Sequence, residues 1–96
     1  MREYVGFDVS KEATAFCVKD VTGQVLARGK VSSDPVALFD ALKTHCVCPA
    51  RIVLETGTLS GWLSRELGKL GIGVEVIDAR QVHAVMKLQT NNTKLH

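Results

Sequence analysis

The chain holds little that would commit it to a special environment. Three cysteines are too few and too uneven to form a disulfide framework. No uninterrupted apolar run exceeds a few residues, against the roughly 20 needed to span a bilayer. Nothing at the start of the sequence resembles a basic segment followed by a hydrophobic signal core. These absences lead us to expect a reduced, cytoplasmic protein with no membrane segment. The charge excess is small as well. Twelve Lys and Arg against ten Asp and Glu leave a net charge of +2, too little for binding nucleic acid by bulk charge, so any such binding must be local. What is present is ample apolar side chain, 46% of 96 residues with only two prolines, enough for one small globular domain and too little length for a second. Residues 1–96 are therefore expected to form a single domain.

The first apolar pattern is Tyr4-Val5-Gly6-Phe7-Asp8-Val9, where Val5, Phe7 and Val9 alternate as in a half-buried strand and leave Asp8 on the opposite face. Runs over Thr14 to Lys19 and Gln24 to Val31 follow, separated by the turn residues Asp20-Val21-Thr22-Gly23. These three segments read as an antiparallel meander. Ser33-Asp34-Pro35 then supplies a helix cap with proline at the first helical position, and Leu38, Phe39, Leu42 and Cys46 share one helical face. Arg51 to Glu55 is a short continuous apolar strand, expected to be buried on both faces and ending on an acid. Leu59, Leu63, Leu67 and Leu70 recur at helical spacing with Trp62 beside them, assigned to the core, and Gly71 to Gly73 end that helix. A fifth strand over Val74 to Ile77 leads to Asp78-Ala79-Arg80-Gln81, a capping box. The last helix carries Val82, Val85 and Met86 on one side and is expected to decay after Gln89.

The order βββαβαβα predicts an α/β fold with a mixed five-stranded sheet, in which the fourth and fifth strands arrive by right-handed crossovers parallel to the first and helices pack on the sheet. That arrangement is RNase H-like. Asp8 and Glu55 would then sit at the carboxyl ends of neighbouring parallel strands, about 5 Å apart, in the crevice where open α/β sheets place ligands. Two ionised carboxylates that close suit Mg²⁺, completed by water and phosphate oxygens. The competing assignment has Glu55 capping the following helix and Asp8 closing the turn at Ser10 and Lys11. Gly57 and Gly61 would allow a phosphate to approach the second helix, yet capping by Thr56 or Thr58 explains them equally well. Arg80, His83 and Lys87, three and four residues apart, form a basic stripe suited either to a phosphate backbone or to solvent. His45, Cys46 and Cys48 lack the paired clusters of a closed zinc site and are read as packing groups.

As a set, Gly6-Phe7-Asp8-Val9-Ser10-Lys11, Leu54-Glu55-Thr56-Gly57, Val76-Ile77-Asp78-Ala79-Arg80, Val82-His83 and Lys87-Leu88-Gln89-Thr90-Asn91 resemble the N-terminal RuvC-like domain of the DEDD-type transposases of bacterial insertion sequences, recombinases guided by a bridge RNA. The resemblance implies DNA strand cleavage and joining in transposition. It assigns Asp8 and Glu55 as the first two catalytic acids and metal ligands of a two-metal Mg²⁺ site, with DNA and guide RNA as partners and Lys11, Arg80, His83 and Lys87 as nucleic-acid contacts. It also places a third acid where Lys94 stands, and a fourth acid and a serine-bearing domain further on. The chain is accordingly expected to be a domain incomplete at its C-terminal end, with weak or absent metal binding and no activity alone. Two other classes stay open. One is a non-enzymatic remnant that binds nucleic acid or self-associates into a homo-oligomer through an exposed sheet edge. The other is an actin-like or sugar-kinase ATPase half, disfavoured because Ser10-Lys11-Glu12 lacks the phosphate-wrapping glycine.

Overall fold

The structure, a computed structural model, describes residues 2–93 and the side chains through residue 86. In chain order the elements are β1 (Glu3–Val9), β2 (Ala13–Asp20), β3 (Val25–Ser32), α1 (Pro35–His45), β4 (Pro49–Glu55), α2 (Ser60–Lys69), β5 (Glu75–Ile77) and α3 (Ala79–Thr93). The result is a mixed α/β protein with one five-stranded sheet, ordered β3-β2-β1-β4-β5, and three helices. The hairpin pairs β1/β2 and β2/β3 are antiparallel, whereas β1/β4 and β4/β5 are parallel. Among the described residues no helix is long and apolar enough to cross a membrane.

Most element boundaries have local causes. The Asp20 carboxylate accepts the Thr22 N–H at 2.9 Å, the Thr22 hydroxyl at 2.6 Å and the Gln24 N–H at 3.0 Å, which folds the β2–β3 turn around Gly23 at φ 88°. Asp34 caps α1 by accepting the Ala37 N–H at 3.1 Å, with Pro35 following it. At the end of α2 the Ile72 N–H donates to the Leu67 carbonyl and the Gly71 N–H to the Gly68 carbonyl. Gly71 takes φ +89°, so the pair forms a Schellman closure. Asp78 and Gln81 form the predicted capping box, with bonds of 2.8 and 3.3 Å. Two expectations fail. α3 continues through Thr93 rather than decaying after Gln89, since Thr90 to Thr93 are modest helix formers but contain no glycine or proline to stop it. Trp62 is 40% exposed rather than in the core, because it stands about 100° around the helix from Leu63.

The core lies between one face of the sheet and the helices α1 and α2. Val5, Phe7, Phe16, Val18, Ile52 and Leu54 meet Leu38, Leu42, Leu63 and Leu67 there. β4 has Ile52, Val53 and Leu54 all buried, because α3 covers the other face over β1 and β4. Gly6 of β1 lies directly beneath Met86 of α3. A Cβ there would come within 3.1 Å of Met86 Cγ, so the bare backbone of β1 lets α3 settle on the sheet. The Lys19 ammonium donates to the Met86 carbonyl at 3.0 Å, which ties α3 to β2. Among the described residues α3 packs mainly on β1 and β4, and Arg28, Gly29 and Lys30 of β3 are exposed.

Candidate functional site

The β1/β4 ladder runs in register to Phe7 opposite Leu54. The next residue on each strand is an acid, Asp8 on β1 and Glu55 on β4. Side chains alternate along a strand, and Phe7 and Leu54 point into the core, so Asp8 and Glu55 turn to the α3 face. Both line one cleft of about 690 Å³. Asp8 is exposed and Glu55 half-buried, at neighbouring parallel strands separated by about 4.8 Å.

Among the described residues neither acid closes a turn. Ser10 donates its hydroxyl to the Ala13 carbonyl at 2.7 Å, and Ser60 Oγ donates to the Gly57 carbonyl at 2.8 Å and stands 3.1 Å from the Gly57 N–H. α2 has no side-chain cap at its own N-cap position, Leu59. Thr56 and Thr58 therefore do not cap it, and Thr56 instead donates its backbone N–H to the Ile77 carbonyl at 2.8 Å. Among the described residues, neither Asp8 nor Glu55 forms an ion pair. Two carboxylates that share an open cleft without a protein partner offer hard oxygen ligands to a cation. No group of three or more His, Cys, Asp or Glu that could hold a metal ion occurs among the described residues, so the two carboxylates by themselves do not make up a complete metal site.

The predicted basic residues separate in space. His83 lines the same cleft as the acids. Lys11 lies instead in an adjoining hollow of about 390 Å³, with Ser10, Gly57 and Glu55, so that Glu55 borders both. Arg80 is exposed at the start of α3 and does not line the cleft, so the stripe predicted for α3 divides after its first member. The side chain of Lys87, and the segment around Lys94, lie outside the described residues.

Three cations of the cleft have no counterpart in the sequence expectations: Lys19, Arg28 and Lys30. Arg28 pairs with Cys17 and Lys30 with Ala15 across the β2/β3 ladder. Partners across a ladder share a face, which puts both cations on the side of Asp8 and Glu55. The signal lay in their alternation along the third strand, but which face they occupy depends on register.

Of the three cysteines only Cys46 packs against the core, whereas Cys17 lines the cleft and Cys48 is exposed. All three are free, and burial, with the Glu3 carboxylate nearby, pushes the Cys46 thiol up to about 11. Glu3 has a structural task, since its buried carboxylate accepts the Val47 and Cys48 N–H groups, each at 2.7 Å.

The chain matches no protein-family model and no curated protein.

Proposed function

We propose that this chain is an RNase H-like domain of the RuvC-like kind, acting on nucleic acid through a divalent cation held by Asp8 and Glu55, and that it is the N-terminal domain of a DEDD-type transposase. The observation that carries the proposal is the insertion of β4 beside β1 in parallel, which brings two acids 47 positions apart in sequence to adjoining strand ends in one cleft. The resemblance to the transposase domain, which rests on the whole set of motifs, includes these two residues.

In this reading Asp8 and Glu55 bind the cation and His83 faces the phosphate that the cation would recruit. A bound Mg²⁺ supplies Lewis-acid polarisation of a phosphodiester oxygen and charge neutralisation around it. α3, anchored by Met86 over Gly6, forms one wall of the cleft and limits the side from which a strand enters. In the resembling transposases the reaction is DNA cleavage and joining under a guide RNA. Two acids hold one ion more readily than two, and we therefore expect this chain to bind metal and nucleic acid without cutting DNA on its own.

The test is Mn²⁺ titration followed by electron paramagnetic resonance. The wild-type chain should take up one ion, and Asp8→Asn and Glu55→Gln should each reduce that uptake at least tenfold. Uptake unchanged in the double variant would remove the site. Mg²⁺-dependent DNA cleavage by the wild-type chain, lost in Asp8→Ala, would overturn the expected inactivity while keeping the site.

A second reading is favoured by the open edge of the sheet. β3 is the outer strand of the meander, and Val25 and Leu26 on it are 38% and 41% exposed. An edge of that kind supports self-association, the non-enzymatic alternative. Light scattering that shows a dimer, together with no Mn²⁺ uptake, would favour it over the metal site.

A further inference from the structure

We infer that Arg28 and Lys30 on β3 form a phosphate rail, so that one nucleic-acid strand lies across the open half of the sheet with one of its phosphates at Asp8 and Glu55. This rests on the reading of the cleft as a nucleic-acid site and adds the track by which the strand reaches the acids.

The ladder registers define two straight rows on the open face. Lys30 stands opposite Ala15, which stands opposite Asp8, with Glu55 next on β4. In the second row Arg28 stands opposite Cys17, which stands opposite Gly6. Each row thus begins at a cation on the edge strand, crosses a small residue on β2 and arrives at β1. Small residues on the floor leave a trough, and α3 raises its far wall with His83 and Met86. Two strand spacings, about 10 Å, separate the rail from Asp8, and three, about 14 Å, separate it from Glu55. With about 3.4 Å of axis per phosphate in one strand, a few nucleotides cover that distance.

Charge supports the same direction. Arg28 and Lys30 are exposed, and neither makes an ion pair among the described residues. Arg51 and Lys69, by contrast, are matched to Glu75 and Glu66 elsewhere on the surface. The acids lie at one end of the trough and the unpaired cations at the other. A polyanion is attracted along the rail and repelled from the acids until a divalent ion neutralises them. Strand binding and metal binding should therefore reinforce each other.

The experiment is fluorescence anisotropy of labelled oligothymidylate with the full 96-residue chain, measured as a salt series in EDTA and again in Mn²⁺. Each lost phosphate contact lowers the slope of log K against log salt by about 0.7 for a single strand and 0.9 for a duplex. Arg28→Gln with Lys30→Gln should flatten the single-strand slope by about 1.4. Arg28→Lys with Lys30→Arg should keep the slope, which separates lost charge from a misfolded edge. Removing two cations from the opposite side of the molecule, Lys43→Gln with Arg65→Gln, should leave it unchanged. Asp8→Asn with Glu55→Gln should tighten binding in EDTA and abolish the gain from Mn²⁺. Oligoribonucleotide and duplex arms identify which nucleic acid prefers the trough.

An unchanged slope in the Arg28/Lys30 double variant overturns the rail, as does an equal loss from the control pair, full competition by polyglutamate of matched charge, or no salt-dependent binding by the wild type. If Mn²⁺ uptake is absent but the slope still falls with Arg28 and Lys30, the metal reading fails and the rail stands. If uptake is present and the slope does not fall, the outcome is reversed.

Discussion

Replacing Gly6 with valine should pry α3 away from the sheet, and the contact at Gly6 lets the cost be worked out. An added Cβ would sit 3.1 Å from Met86 Cγ and 3.2 Å from Sδ, where relaxed carbon contacts lie at about 3.5–4.0 Å. In Gly6→Ala the thioether has only to swing by a few tenths of an ångström, and three rotatable bonds allow it to do so. The alanine also stiffens the unfolded chain, a gain of about 0.4–1 kcal/mol. The two effects offset, and Gly6→Ala should lie within about 1 kcal/mol of wild type. Valine differs because its two γ-carbons are stiff at χ1 and occupy the place Met86 would move into. Overpacking of that kind costs about 1–3 kcal/mol. Displacing α3 also strains the bond from Lys19 to the Met86 carbonyl, worth about 1 kcal/mol. The expected loss for Gly6→Val is therefore about 2–4 kcal/mol. Met86→Ala should relieve it, so urea unfolding of wild type, Gly6→Val, Met86→Ala and the double variant should show a favourable coupling of at least 1 kcal/mol. Additivity within about 0.5 kcal/mol would refute the docking of α3 on β1, and with it the wall of the cleft.

Three further outcomes follow from other parts of the molecule. Glu3→Ala should lower stability by about 1.5–3 kcal/mol, because two N–H groups lose a charged acceptor, and Glu3→Gln should lose less because it keeps an acceptor; urea midpoints measure both. The Thr22 hydroxyl, helped by the Gln24, Thr22 and Gly23 N–H groups and opposed by burial, holds the Asp20 carboxyl below the usual aspartate range. A folded-state value depressed in this way contributes stability that is fully present above the unfolded value and disappears as pH falls through the folded one. The gap in urea midpoint between wild type and Asp20→Asn should accordingly be widest near neutrality and narrow below about pH 4. With its thiol at about 11, Cys46 should remain protonated at pH 8 and react with iodoacetamide well after the exposed Cys48. Peptide mass spectrometry that found equal rates would contradict the burial assigned to Cys46.

The parts of the fold that could be read in advance are those whose causes lie within a few residues. Asp34 with Pro35, Asp78 with Gln81, and the Asp20 to Gly23 turn each satisfy backbone groups two to four positions away, so residue type alone identifies them. Gly71 belongs with them, since its φ of +89° suits glycine at a helix end. The pairing of Asp8 with Glu55 reaches further along the chain but was still legible. An unbroken Ile52-Val53-Leu54 demands burial on both faces, and such a strand has to lie inside the sheet. Trp62 shows where the same reasoning fails, since one position off the leucine stripe was enough to leave it exposed.

What the chain determined by itself was therefore its caps, its turns, its apolar periods and the presence of an acid at each of two strand ends. Only the tertiary structure decided which cations join those acids. Arg28 and Lys30 reach the cleft because β3 pairs with β2 in one register, with an irregularity between Val18 and Lys19. A slip of one residue would turn both to the other face. Lys11 and Arg80 fall outside the trough, Lys11 because the turn after β1 lies against the adjoining hollow and Arg80 because the α3 face that lines the cleft carries Ala79, Val82, His83 and Met86 instead. Side-chain direction in a strand has a period of two, and register is settled by how whole strands pack, a sum of weak contacts that no short stretch of sequence contains.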